Sequence, residues 1–323
     1  MTPSIAPSQW LSFIDQEYLK SFLRDGGSAI KFAVPLDEAC RPELFDGLTK
    51  LAQQAGFPVI KISAADTRVH MADEIFFRTA EQVPWQLLSR RFLAKLTADA
   101  GYQWTDNGEG HLYARLAARN QVDPQMLLLD MKKAIWDAVF KEPGLSRDFR
   151  IAMRHLCTAE LSGGQDGETT VKILTDWLTG HNKAVSAVKP YHIFRRINRN
   201  TARFFFQSMV HWLRVTAYPG IVILLDNQRV MLTRNPDDPG LFYSKAALVD
   251  SYEVLRQFID GADKLQGFFM VAVPEVSFLE DHKRGLSAYE ALKFRVIDEI
   301  HDKNLVNPMA SLARIAAATA GER

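Results

Sequence analysis

Tyr218-Pro219-Gly220-Ile221-Val222-Ile223-Leu224-Leu225-Asp226 is the stretch that decides the fold class. Pro and Gly turn the chain, and the β-branched and leucine run that follows has no polar alternation. A strand covered on both faces has this pattern, which is that of a central strand in a parallel sheet. Working outward, three more segments read the same way. Ala29–Val34 is an apolar run between Gly26-Gly27 and Pro35, Pro58–Ile62 follows the breaker Gly56, and Gly267–Val273 is continuous Phe, Met and Val. Between and around them the apolar spacing is helical, over Trp10–Arg24, Pro42–Ala55, Ala246–Ile259, Ser287–His301 and Met309–Ala318. Strand, helix and strand between Ala29 and Ile62 form a βαβ unit, and strands alternating with helices predict an α/β fold with a mostly parallel, helix-covered sheet.

From about Asp73 to Gly180 the pattern is almost wholly helical, broken at Asp106–Gly110, Lys141–Gly144 and Ser162–Gly167. A further long helical pattern runs from Tyr191 to Ala217. The expected organisation is therefore an N-terminal part of the α/β core over 1–72, a large helical insertion over 73–188, and the rest of the core with C-terminal helices over 189–323. The Pro/Asp/Gly stretch Asn235–Gly240 reads as a loop.

The 323 residues are 47% apolar and 24% charged, which excludes bulk disorder. Lys and Arg number 39 and Asp and Glu 38, a formal charge of +1. Such a chain has no general pull on nucleic acid or membrane, so any such binding needs a local patch. No apolar run approaches the ~20 residues of a bilayer span. Residues 1–9 lack the basic and apolar regions of a signal peptide. Two cysteines, Cys40 and Cys157, make neither a disulfide framework nor a four-thiolate zinc site, and the cytoplasm is the expected compartment.

Ligands of open α/β sheets bind beyond the carboxyl ends of strands, which directs attention to Pro35–Pro42 and to Asp226-Asn227-Gln228. A phosphate-cradling loop needs glycines, a Lys for phosphate charge and a Ser or Thr for magnesium. The first loop has no glycine. It carries Asp37 and Glu38, which repel a triphosphate, and Arg41 is its one cation. Asp226 ends its strand where an NTPase holds magnesium, but the next residue is Asn227, an amide that cannot act as a base. Arg41 reads either as a phosphate contact or as an exposed first-turn arginine. Asp226 reads either as a metal ligand or as a relic acid capping the next segment.

Several stretches in order resemble the P-loop ATP-binding family of the BREX bacteriophage-defence systems, the BrxC/BrxD-type, AAA+-like proteins. They are Tyr18–Leu23 with Gly26–Phe32, Asp66–His70, Gly220–Asp226, Tyr252–Asp260, and Arg284-Gly285-Leu286 with Tyr289–Arg295 and Asn307-Pro308. The resemblance implies a P-loop NTPase or AAA+-like parallel sheet flanked by helices, with a large helical insertion. It places Cys40, Arg41 and Pro42 where the family has Gly, Lys and Thr or Ser, and Asn227 where it has Glu. It therefore implies a degenerate nucleotide site of Arg41, Asp226 and Asn227, with no catalytic residue, no metal and no resident ATP or magnesium. It also implies Arg284 and Arg295 as interface or sensor arginines.

Arg195, Arg199 and Arg203 fall at i, i+4 and i+8, which on a helix is a basic stripe for nucleic acid, for an acidic partner, or simply for solvent. His155 and Cys157 are too close on a helix to share a metal, and Ser162–Gly167 reads as a flexible loop. The expected function is a pseudo-ATPase subunit of an anti-phage defence system, working through other defence proteins or as a homo-oligomer. A weak ATPase and a nucleic-acid-binding module of the same system are the alternatives.

Overall fold

The computed structural model describes residues 4–232, 240–296, 307 and 309–317. Five strands, β1 (Ala29–Pro35), β2 (Val59–Ser63), β3 (Ile221–Asp226), β4 (Phe268–Val273) and β5 (Leu312–Ile315), form one sheet in the order β2-β3-β4-β1-β5. Every neighbouring pair is parallel, so the α/β reading holds. β3 and β4, the two most apolar runs, lie inside the sheet, where both faces are covered.

The chain packs as two compact units, residues 1–79 with 218–323, and residues 80–217. The first holds the sheet. It also contains α1 (Pro7–Phe13), which continues as a wide π-helical segment over Ile14–Phe22, then α2 (Cys40–Gln54) and α3 (Ala72–Glu81), which crosses the boundary between the units. The second holds α4 (Trp85–Asp99), α5 (Leu112–Asn120), α6 (Pro124–Phe140), α7 (Arg147–Ser162), α8 (Gly164–Leu178), α9 (Val185–Val188) and α10 (Ala202–Val215). The first resumes after β3 with α11 (Lys245–Asp260), α12 (Ser277–Glu280) and α13 (Glu290–Lys293). Residues 189–217, expected with the core, pack with the helices instead.

Alternation along the strands gives the sheet two different faces. On one, Ala33, Val222, Leu224, Phe269 and Val271 pack with Trp10, Ile14 and Leu19 of the N-terminal helical segment and Leu44 and Leu48 of α2. On the other, the Phe32 ring stacks on Phe278 at 5.5 Å, and Tyr252 meets the same Phe278 edge-on at 5.8 Å. In the helical unit α7 is central, packing against α4, α6 and α8.

Four expectations are corrected. Met309–Ala318 is not a helix: Leu312-Ala313-Arg314-Ile315 pairs with β1 from Phe32 to Pro35, and an open sheet edge outweighs the helical preference of its alanines (Ala318 lies outside the described residues). Ser287–His301 contains only one short turn and the single-turn α13, and residues 297–301 lie outside the described residues. The Tyr191–Ala217 pattern becomes helical only at Ala202. Asn198 Oδ1 accepts from the Asn200 and Thr201 amides, and Asp148 Oδ1 accepts from those of Phe194 and Arg195, so local polar side chains outcompete the helix there. Ser162–Gly167 is no loop: α7 and α8 meet at Gly163 alone, whose φ of 62° turns the chain. The Asn235–Gly240 loop lies outside the described residues except for Gly240.

Two residues fix the sheet in ways that can be measured. A Cβ on Gly220 would lie 1.9 Å from the Gly267 carbonyl oxygen, so the start of β3 tolerates glycine only. Gly220→Ala is expected to cost about 2–3 kcal/mol in urea unfolding. Lys31 is 2% exposed, sits 4.7 Å above the Tyr18 ring and donates to the carbonyls of Met309 (3.0 Å) and Ala310 (2.7 Å). Burial pushes its pKa from 10.5 down to about 8. Between those values the unfolded chain binds more protons, so this group's contribution to stability rises with pH there. Relative to Lys31→Met, the wild type should gain about 2 kcal/mol between pH 7 and 9.5, and a pH-independent difference would refute the assignment.

Candidate functional site

The connection leaving β1 runs toward β2, past β4 and β3, whereas the one leaving β4 runs the other way, past β1, to β5. Where neighbouring strands send their connections in opposite directions, a crevice opens at their carboxyl ends. The two loops singled out in the sequence meet at this crevice, where Arg41 bridges them.

Arg41 lies in the first turn of α2, with its side chain only 12% exposed. It is not the exposed arginine of the simpler reading. Its Nε donates to Glu38 Oε2 at 2.6 Å and its Nη2 to Glu38 Oε1 at 3.0 Å, a two-pronged grip on one carboxylate. Nη1 donates to Asp226 Oδ1 at 3.2 Å and to the Val273 carbonyl at 2.8 Å, and Nη2 donates to the Pro274 carbonyl at 2.9 Å. A guanidinium has five N–H groups, and each has an acceptor here. The guanidinium thereby joins the end of β3, the end of β4 and the start of α2.

Four amides of the loop are committed as well. Leu36 N–H donates to Ile315 of β5, Ala39 N–H to the Asp37 carboxylate at 3.0 Å, Cys40 N–H to the Asp37 carbonyl and Arg41 N–H to the Glu38 carbonyl. Asp37 and Glu38 place their negative charge at the N-terminus of α2, the position an anionic ligand favours. Burial, with Asp37 and Glu43 beside it, raises the Cys40 thiol pKa, and the side chain is packed into the core.

Asp226 accepts from the Gln228 amide at 3.2 Å as well as from Arg41, which caps the next segment and pairs a cation at once. Asn227 is 3% exposed, and its Oδ1 has no hydrogen-bond partner among the described residues. The sequence missed the role of Glu38, although its i, i+3 spacing to Arg41 on a helix start was the available signal.

The other candidates lie elsewhere. Arg284 Nη2 donates to the carbonyls of Val230 and Tyr243, both at 3.0 Å, and so ties the segment after β3 to that before α11. Arg295 pairs with Asp260, which Arg256 also holds, and its Nη1 donates to the Ala291 carbonyl at 2.7 Å. These pairings lower the Asp260 pKa, Arg295 contributing most. Arg195 and Arg199 lie before α10 and only Arg203 lies on it, so the three do not form a helical stripe; all are exposed. Among the described residues no cluster of His, Cys, Asp and Glu could hold a metal, and no helix is long and apolar enough to cross a membrane.

The sequence pattern of one protein family, described as BREX system ATP-binding protein BrxC/D, matches residues 130–322, more than half of the chain. Asp226, Asn227, Arg284 and Arg295 fall inside the match, and Arg41 precedes it. No curated protein and no solved structure matches the chain.

The Arg41 contacts predict a stability effect. Arg41→Ala should cost about 2 kcal/mol in urea unfolding, since it leaves Asp226 and two strand-end carbonyls without their donor. Arg41→Lys should recover less than half of that, because an ammonium cannot grip Glu38 with two prongs. Equal stability of all three proteins would show that the guanidinium holds nothing.

Proposed function

The chain belongs to the BREX system ATP-binding protein BrxC/D family, and from that premise we propose that it is a non-catalytic, AAA+-like subunit of a bacterial anti-phage defence system. The observation that carries this reading is the Arg41 guanidinium, whose five N–H groups are all taken by acceptors of its own chain.

The family description raises ATP and its magnesium, and the residues present do not fit them. A nucleotide triphosphate needs free amides around its phosphates, a cation aimed at them, and an acid free to hold magnesium. Here Leu36, Ala39, Cys40 and Arg41 have spent their amides, the nearest cation faces Glu38 and Asp226, and Asp226 is already paired. Asp37 and Glu38 stand in for the anion and Arg41 for the cation. Asn227 cannot take a proton from water. Hydrolysis therefore lacks both its binding loop and its base.

A scaffold that has lost its chemistry acts by association. We place the protein in the cytoplasm with other defence proteins as partners, in keeping with Cys40 and Cys157 being free and buried thiols. Arg284 and Arg295 hold internal acceptors, so we assign them to keeping the α/β unit in shape.

Two measurements test this reading. Purified protein should turn over ATP no faster than a mock preparation, because loss of even one transition-state donor removes about 3 kcal/mol of stabilisation. Turnover that Asp226→Ala abolishes would overturn the pseudo-ATPase reading. Expressed with its neighbouring genes, the tagged protein should co-purify with at least one of their products, and recovery alone as a monomer would refute the association.

A further inference from the structure

The helical unit exposes a surface that the site at the sheet does not involve. Helix α6 starts firmly, with Pro124 in its first turn and Asp123 Oδ1 accepting from the Met126 amide at 2.9 Å. Its buried side is Leu127, Met131, Ile135 and Val139. Its outer side should be polar, yet Met126 is 65% exposed, Leu129 67%, Trp136 47% and Phe140 60%. With Lys133 these residues are spaced three or four apart, which sets them in one line along the helix. At 1.5 Å per residue the line is about 21 Å long.

Beside its C-terminal end lies a cavity of about 250 Å³ lined by Trp136, Phe140, Ile151, Arg147, Arg150 and Arg154. Trp136 and Phe140 lie nearly parallel, 7° apart with centroids at 5.6 Å. The Arg154 guanidinium sits 4.9 Å over Trp136 and that of Arg150 5.8 Å over Phe140. Arg150 donates to the carbonyls of Glu142 and Leu145, and Arg154 lies 2.6 Å from Nε2 of His155. Among the described residues, none of Arg147, Arg150 and Arg154 forms an ion pair. The acids on this side of α6 flank the line and are engaged: Asp137 lies 4.0 Å from Lys141, and Asp130 3.5 Å from the Tyr102 hydroxyl. Three arginines therefore flank the Trp136 and Phe140 end of this apolar line, and among the described residues no carboxylate forms an ion pair with them or with Lys133.

We propose that the outer face of α6 and the arginine-walled cavity beside it dock an acidic amphipathic helix of a partner protein. A helix of about four turns would lay apolar residues at i, i+3 or i+4, and i+7 along Leu129, Trp136 and Phe140. One bulky side chain would enter the cavity, and flanking Asp or Glu residues would meet Arg147, Arg154 and Lys133. Charge selects this occupant. A second copy docking by the same face would set arginines against arginines. A single-stranded nucleic acid stacks its bases on open aromatic faces. Here guanidinium groups already lie over both rings, and Met126 and Leu129 offer no face to a base.

This inference rests on the association part of the proposed function and not on the nucleotide site. Its test is photo-crosslinking from the whole protein, with a benzophenone amino acid in place of Leu129, expressed with its neighbouring genes. The adduct, sequenced by mass spectrometry, should map to an acidic segment of another gene's product whose apolar residues recur every three or four positions. A fluorescent synthetic peptide of that segment should bind the purified protein at least tenfold more weakly after Arg147→Glu with Arg154→Glu, and also after Leu129→Asp, whose exposed position leaves the core intact. Adducts to nucleic acid, to a second copy of this chain, or to nothing would overturn the proposal, as would a peptide indifferent to these substitutions. If the Leu129→Asp protein still co-purifies its neighbours as wild type does, the association stands and this surface is not its site.

Discussion

The Arg41 guanidinium sits where β3 and β4 end and α2 begins, and the carboxyl end of the sheet is organised around it. A parallel sheet brings strand ends and helix starts to one edge, with outward-facing carbonyls on one side and unsatisfied amides on the other. An enzyme of this architecture leaves such groups for a ligand. Here Val273, Pro274, Asp226 and Glu38 supply acceptors to one side chain, and Asp37 accepts from the amides of Ala39, just before α2, and Cys40, its first residue. An anion and a cation of the chain's own thus meet at this edge, Arg41 pairing with Glu38 and Asp226. Replacing only one of them would leave either a buried cation or a bare carboxylate, each costly in a partly desolvated crevice.

The two units use arginine differently. In the α/β unit Arg41, Arg284 and Arg295 all face acceptors of the same chain, and each holds two or more segments together. In the helical unit Arg150 and Arg154 lie over aromatic rings beside an apolar line, and no carboxylate pairs with them or with Arg147 among the described residues.

Much of the fold was legible in the sequence. The runs Ala29–Val34, Pro58–Ile62, Ile221–Asp226 and Gly267–Val273 became strands because continuous apolar stretches bounded by Gly or Pro have few other places to go. β5 was not legible, since Leu312–Ile315 is short and lies in an alanine-rich stretch, and only the free edge of β1 makes it a strand. The order β2-β3-β4-β1-β5 was equally hidden, because two strands stand between the ends of the first βαβ unit. At the site, the absence of glycine in Pro35–Pro42 and the amide Asn227 after the strand-end acid Asp226 were readable. The direction of Arg41 was not, as it depends on carbonyls 232 and 233 residues later in the chain. The arginine spacing at 195, 199 and 203 misled because Asn198 and Asp148 hold the backbone out of a helix.

Calorimetric titration of the purified protein with Mg-ATP most directly tests the proposal that the chain's own side chains occupy a nucleotide site. The wild type should give no saturable heat at millimolar nucleotide. Stoichiometric binding that Asp226→Ala abolishes would contradict it, because Asp226 would then be holding a magnesium ion and not Arg41.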